Sequence, residues 1–173
     1  MSEKQWFDDI KWDSLTKEHT EYTLNEANVA LKTSLESCKE LDAKSFYIIT
    51  GSLGYISVLL PFIFKATEEI FFIPASILIC GFFIALLMLV HSIKAQKYFP
   101  MGNYPKNTLH LDSLKGDYLN FLHWEITSRQ GWIKHNEKLN KLKGKLINLS
   151  LISLLTSVAL AFIVYTFIRL SSL

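Results

Sequence analysis

Three uncharged, mostly apolar runs divide this sequence and constrain its fold more than any other feature. They cover residues 45–64, 70–90 and 146–168. Each reaches the roughly 20 residues that a helix rising about 1.5 Å per residue needs to cross the hydrocarbon core of a bilayer. Lipid offers no hydrogen-bond partner to a backbone amide, so these runs should be closed helices. The sequence therefore predicts an all-α integral membrane protein with three transmembrane helices.

The lysines and arginines are distributed unevenly around these runs. Of the 18, six precede the first run and ten lie between the second and the third, which leaves only Lys65 and Arg169 for the opposite side. Basic residues near the ends of spans stay in the cytoplasm. We therefore expect residues 1–44 and 91–145 to be cytoplasmic and the C-terminus to lie outside.

Long helices are predicted to extend from the spans into the cytoplasm. From Ser14, a candidate N-cap, to Ala43, apolar residues recur at spacings of three and four, and no Gly or Pro occurs before Gly51. The second span should continue as helix to about Tyr98. A second cytoplasmic helix should start near Leu111 and enter the third span, burying Leu111, Leu114, Tyr118, Leu122, Trp132, Leu139, Leu142 and Leu146. We expect the two cytoplasmic helices to pack together.

The predicted organisation has four parts. Residues 1–44 form a cytoplasmic amphipathic helix, and residues 45–90 form a transmembrane hairpin. Residues 91–145 form a cytoplasmic turn followed by a basic helix, and residues 146–173 form the third span with a short outer tail.

Two spans carry stripes of small or weakly polar residues. The stripe of the first span is Thr50, Gly54, Ser57 and Pro61, and that of the third is Ser150, Ser153 and Ser157. Such stripes either pack helices closely or line a water-filled path. One chain has too few helices to enclose a path, so a pore requires several copies. Both interpretations remain open for each stripe.

Charged and aromatic residues outside the spans suggest two further sites. Glu68 and Glu69 begin the second span, where acids suit the helix dipole, or they form an acidic outer mouth in an oligomer. The basic helix carries candidates for contacts to phosphates and bases: Arg129, Lys134, Lys138, Lys141, Lys145, Trp124 and Trp132. Fixing the topology and binding anionic lipid headgroups are alternative roles for these lysines. Glu125 and Arg129 are spaced as a helix ion pair.

No catalytic motif is present. The five histidines lack a metal-binding or nucleophile pattern around them, and the spans contain no ionisable side chain of the kind that ion-coupled transporters use. We expect no enzyme activity, no cofactor and no metal site.

The order of amphipathic helix, apolar hairpin and cytoplasmic helix resembles small membrane effectors of bacterial anti-phage systems, namely the SLATT-type proteins and the HalB-like effectors of Hailong defence. The third span fits the Hailong type better. The resemblance implies a homo-oligomeric channel in the bacterial inner membrane that depolarises the infected cell. It also implies control by a cytoplasmic nucleotide or oligonucleotide made by a partner nucleotidyltransferase.

The function expected from the sequence is therefore a gated pore, assembled as a tetramer or a larger homo-oligomer in the lipid bilayer. A non-conducting membrane anchor or adaptor that recruits a cytoplasmic partner through its helical stalk is the main alternative, and a phage-encoded holin or exclusion protein is a third.

Overall fold

A computed structural model describes residues 14–65, 69–94, 97–102 and 117–171 of the chain. In these ranges there are three α-helices and no strand: α1 is Lys17–Lys65, α2 is Glu69–Ile93 and α3 is Tyr118–Ser171. All three are long and apolar enough to cross a membrane. The all-helical fold and the three helices of spanning length are confirmed, whereas the orientation stays a prediction.

The helices α1 and α3 are each continuous, with 49 and 54 residues. The start of α1 is fixed by Thr16, whose hydroxyl accepts a hydrogen bond from the backbone N–H of His19 at 3.3 Å. Thr16 rather than Ser14 is therefore the N-cap. As predicted, α1 runs from this polar start into its apolar part without a break.

The helix α2 ends earlier than the sequence predicted. It stops at Ile93 instead of continuing to Tyr98, and residues 97–100 are not helical. Phe99 precedes Pro100, which disfavours helical backbone at Phe99, and both backbone polar groups of Phe99 are bound by a side chain of α3. The predicted helix start near Leu111 lies outside the described residues, and α3 begins at Tyr118.

The described residues form two compact units. The polar unit comprises residues 14–37, 97–102 and 117–138, and the apolar unit comprises residues 38–65, 69–94 and 139–171. Since α1 and α3 are continuous, each contributes to both units.

In the polar unit, α1 and α3 run parallel to each other. The hydroxyl of Tyr118 donates to Glu21 at 3.1 Å, and further along, Asn136 donates to Ser34 at 3.2 Å. Residue numbers thus rise together on the two helices, which pack together as expected. The buried apolar residues are Leu31, Leu122, Ile126 and Ile133.

The predicted buried side of α3 is only partly correct. Leu122 is buried, but Tyr118 is 50% exposed. Leu142, which belongs to the apolar unit, is 43% exposed. The face of α3 that contacts α1 includes Arg129 and Asn136. The predicted face was defined by leucines and aromatic residues alone, so it is rotated around the helix axis from the observed one.

The apolar unit contains parts of all three helices, and α2 runs antiparallel to the other two. The rings of Tyr55 and Phe82 lie 5.8 Å apart between α1 and α2, and those of Phe71 and Tyr165 lie 5.9 Å apart between α2 and α3. The three-residue connection between Lys65 and Glu69 permits only such a hairpin.

The interior of the apolar unit is rich in small and hydroxyl-bearing side chains, although Phe82, Leu89 and Ile147 are buried there too. The buried residues include Ala85, Ala161 and five serines: Ser45, Ser52, Ser92, Ser150 and Ser157. Phenylalanines such as Phe46, Phe83 and Phe162 are more than half exposed instead. A water-soluble bundle has the reverse pattern, whereas helices in lipid associate through small residues and expose large apolar ones. This distribution supports insertion in a bilayer.

Replacing Gly81 by alanine should destabilise the apolar unit. A Cβ atom built at Gly81 overlaps the side chain of Ser157, so α2 and α3 must separate locally, at a cost of about 1–3 kcal/mol. The measurement is the free energy of unfolding in detergent. Gly51→Ala is the matched control, because a Cβ there meets nothing within 4 Å. Equal stability of the two variants would contradict this packing.

Candidate pore face and ligand surface

The serine stripe of α3 is used for packing inside the chain. Ser150 and Ser157 are buried, and the hydroxyl of Ser153 donates to the backbone carbonyl of Gly81 at 3.2 Å. The absence of a side chain at Gly81 permits this close approach of α2. Of the two roles left open for this stripe, the structure places it in a helix contact.

The stripe of α1 has a different environment. Thr50, Gly54, Ser57 and Pro61 are all exposed, and a Cβ built at Gly54 meets nothing within 4 Å. The buried serines of α1, Ser45 and Ser52, lie on the opposite side of the helix. The stripe therefore faces away from the bundle of its own chain, toward lipid, water or another copy.

The acidic pair proposed for an outer mouth is not placed by the structure. Glu68 and the side chain of Glu69 lie outside the described residues, and Glu69 is the first residue of α2.

The four lysines of α3 form one exposed row. Lys134, Lys138, Lys141 and Lys145 are all exposed, and their spacing of three and four residues places them on one face over roughly 16 Å of helix. Trp124, with 47% of its surface exposed, lies ten residues before the first lysine and about 70° around the helix from the middle of the row. These five residues are the part of the predicted ligand site that is accessible on α3.

Arg129 does not belong to this surface. Its guanidinium is buried, contacts the carboxylate of Glu125 and donates through Nε to the side-chain oxygen of Asn28 at 2.5 Å. Burial lowers the pKa of Arg129 from its ordinary value. Arg129 was predicted as a phosphate contact, but its guanidinium is engaged within the chain: it makes the predicted ion pair with Glu125 on α3, and its hydrogen bond to Asn28 joins α3 to α1.

Trp132 is already stacked on a residue of its own chain. Its ring lies 5.6 Å from that of Phe99 with an interplanar angle of 6°, so one of its faces is already covered. Trp132 precedes Lys134 by two positions, which puts the two side chains about 160° apart around the helix. The predicted constellation of lysines and two tryptophans is therefore split between different faces of α3.

Sequence reasoning missed a row of buried polar residues on α3. Arg129, Asn136 and Lys143 are seven residues apart, each is buried, and each is bonded to a side chain of α1. Lys143 donates to Asp42 at 2.6 Å and to the sulfur of Cys38 at 3.4 Å. The seven-residue spacing of polar side chains was the signal that could have identified them.

A metal site is not assembled in the described part of the chain. No group of three or more His, Cys, Asp or Glu side chains in these ranges is placed to hold a metal ion.

Comparisons with protein families, with curated proteins and with solved structures find no match to this chain.

Proposed function

We propose that this chain crosses the bacterial inner membrane three times and assembles with copies of itself into a gated, ion-conducting pore. In this proposal it is an effector of anti-phage defence that depolarises the infected cell. The observation that carries the proposal is the small-residue stripe of α1, which is exposed on the single chain although the comparable stripe of α3 is covered by α2.

The position of the α1 stripe supports assembly of several copies. Most lipid-facing positions of the apolar unit carry large side chains such as Phe83 and Phe162, whereas Thr50, Gly54 and Ser57 offer little apolar surface to lipid. Small and hydroxyl-bearing faces in membranes contact other helices or water. The interior of one chain is closed where α2 meets α3, so a water path has to run between copies, with the stripe facing it.

The composition of the spans suits passive conduction. They carry hydroxyl groups and apolar side chains but no Asp, Glu, Lys, Arg or His, and hydroxyl-lined and apolar walls are sufficient for a gated pore. In the proposed oligomer, Glu68 and Glu69 would surround the outer mouth and favour cations.

Cysteine accessibility tests the assignment of the pore face. In a background where Cys38 and Cys80 are replaced by serine, Thr50→Cys and Ser57→Cys should each let a cationic, water-soluble thiol reagent block ion flux through liposomes. In the proposed pore both positions face the water path, so a reagent attached there obstructs the ions. The control is Ile163→Cys on α3, because Ile163 is 61% exposed and should face lipid.

One result would contradict the pore itself, and another would contradict its assignment to α1. Vesicles that stay tight for every variant and condition contradict conduction itself. Flux that the reagent blocks in the Ile163→Cys variant but not in the Ser57→Cys variant would place the path at another helix.

The lysine row of α3 is the proposed receptor for the cytoplasmic signal. Four exposed ammonium groups, each one helical turn from the next, suit a chain of phosphates, and the exposed ring of Trp124 is available to stack on a base. We propose an oligonucleotide or nucleotide from a partner nucleotidyltransferase as the ligand.

Charge reversal tests this receptor. The triple variant Lys134→Glu, Lys138→Glu, Lys141→Glu should raise the dissociation constant for a short single-stranded DNA by about a hundredfold, because three charge-assisted contacts are lost. Fluorescence anisotropy of the labelled DNA with protein in neutral detergent measures it.

The matched control has the same change in net charge on α1. Lys32, Lys39 and Lys44 are also exposed, and their replacement by Glu should leave the affinity within about threefold. Equal losses of DNA affinity in both triple variants would show a non-specific effect of charge and would contradict the proposed binding site.

A non-conducting anchor or adaptor is the second candidate. It is favoured by exposed apolar side chains on α1 in the polar unit, Tyr22 and Val29, which a cytoplasmic partner would cover. A chain that remains a monomer in the membrane would support this candidate over the pore.

A further inference from the structure

A short segment after α2 is held against α3 through its backbone. The N–H of Phe99 donates to the side-chain oxygen of Asn136 at 3.0 Å, and the side-chain nitrogen of Asn136 donates to the carbonyl of Phe99 at 3.1 Å. One amide side chain thus binds both polar groups of one residue, as a neighbouring β-strand would.

Aromatic side chains of α3 hold the ring of the same residue. The ring of Phe99 is stacked on Trp132 and meets the edge of His135, with centroids 5.2 Å apart at an angle of 80°. A ring nitrogen of His135 lies 3.0 Å from the carbonyl oxygen of Lys97. Three neighbouring residues of α3 therefore recognise the segment Lys97–Pro100.

Asn136 also connects this segment to α1. Its side chain is completely buried, and its nitrogen donates to the hydroxyl of Ser34 at 3.2 Å in addition to Phe99. A buried amide needs such partners, because an unsatisfied polar group in the interior is costly. Release of the segment therefore leaves Asn136 without two of its three hydrogen bonds unless water or another group replaces them.

The docked segment is nevertheless small and open at its edges. Lys97, Pro100 and His135 are exposed, and Phe99 and Trp132 are half-buried. Water can reach this contact, and few apolar atoms have to be exposed when it opens. Contacts of this kind belong to the part of a structure that opens at low cost.

We propose that the segment Lys97–Pro100 is a releasable latch, in which the amide of Asn136 and the ring of Trp132 hold Phe99 and so restrain the end of α2. Ile93, the last residue of α2, precedes Lys97 by only four positions, so release gives the end of α2 freedom to move. In the docked state the pore is at rest, and release is the step that opens it. The gating role rests on the proposed pore, but the docking does not.

Amide hydrogen exchange tests the docking without any assumption about conduction. In the full-length protein in nanodiscs, the Phe99 amide should be protected, and Asn136→Ala should raise its exchange rate by on the order of tenfold or more, since both hydrogen bonds to the backbone are lost. An unprotected Phe99 amide in the unaltered protein would overturn the latch.

Two further variants make the result specific. Ser34→Ala removes one hydrogen bond of Asn136 but keeps the contacts to Phe99, so exchange should change by less than about threefold. Phe99→Ala keeps the backbone but removes the aromatic stack, and it should raise the exchange rate at this position even if Asn136→Ala does not fold.

Ion flux in liposomes then tests the gating role. Asn136→Ala and Phe99→Ala should raise basal flux severalfold above that of the unaltered protein and of Ser34→Ala. Faster exchange with unchanged flux, in a protein that does conduct, would overturn the gating role. If no variant conducts, the proposed pore and the gating role both fail, while hydrogen exchange still decides whether the latch exists.

Discussion

The close approach of α2 to α3 at Gly81 is the contact on which the arrangement of the apolar unit depends. There the glycine has no room for a side chain, and Ser153 bonds to its carbonyl oxygen. Lipid tails are as apolar as the side chains, so the hydrophobic effect does not drive helices together in a bilayer. Close packing and hydrogen bonds between helices do, and small residues permit both. The serine stripe of α3 is covered in this way, so of the two stripes the one on α1 is the exposed candidate surface for other copies.

The polar unit is organised by a different interaction. There α1 and α3 are joined by buried hydrogen bonds, from Arg129 to Asn28 and from Asn136 to Ser34, within a contact that also includes leucines and isoleucines. Buried polar pairs of this kind add little net stability, yet they fix the register of two helices because any other alignment leaves them unpaired. Asn136 also binds Phe99, so the same residue that aligns the helices holds the proposed latch.

Much of the fold could be predicted from the sequence, but the roles of single residues could not. Length and hydropathy were sufficient for the three helices, because a span is defined by local composition. The two stripes look alike in sequence, and the packing of α2 against α3 at Gly81, which is distant from the serines along the chain, distinguishes them. Arg129 and Trp132 were grouped with the lysines for the same reason: their partners, Asn28 and Phe99, are distant in sequence, and no local pattern identifies them.

The account depends on copies of the chain meeting through the exposed stripe of α1. The most direct test is the mass of the purified protein in mild detergent, measured by light scattering with the detergent contribution subtracted. The account predicts one species with the mass of at least four chains. A single species with the mass of one chain, at every protein concentration and also after reconstitution in nanodiscs, would contradict it.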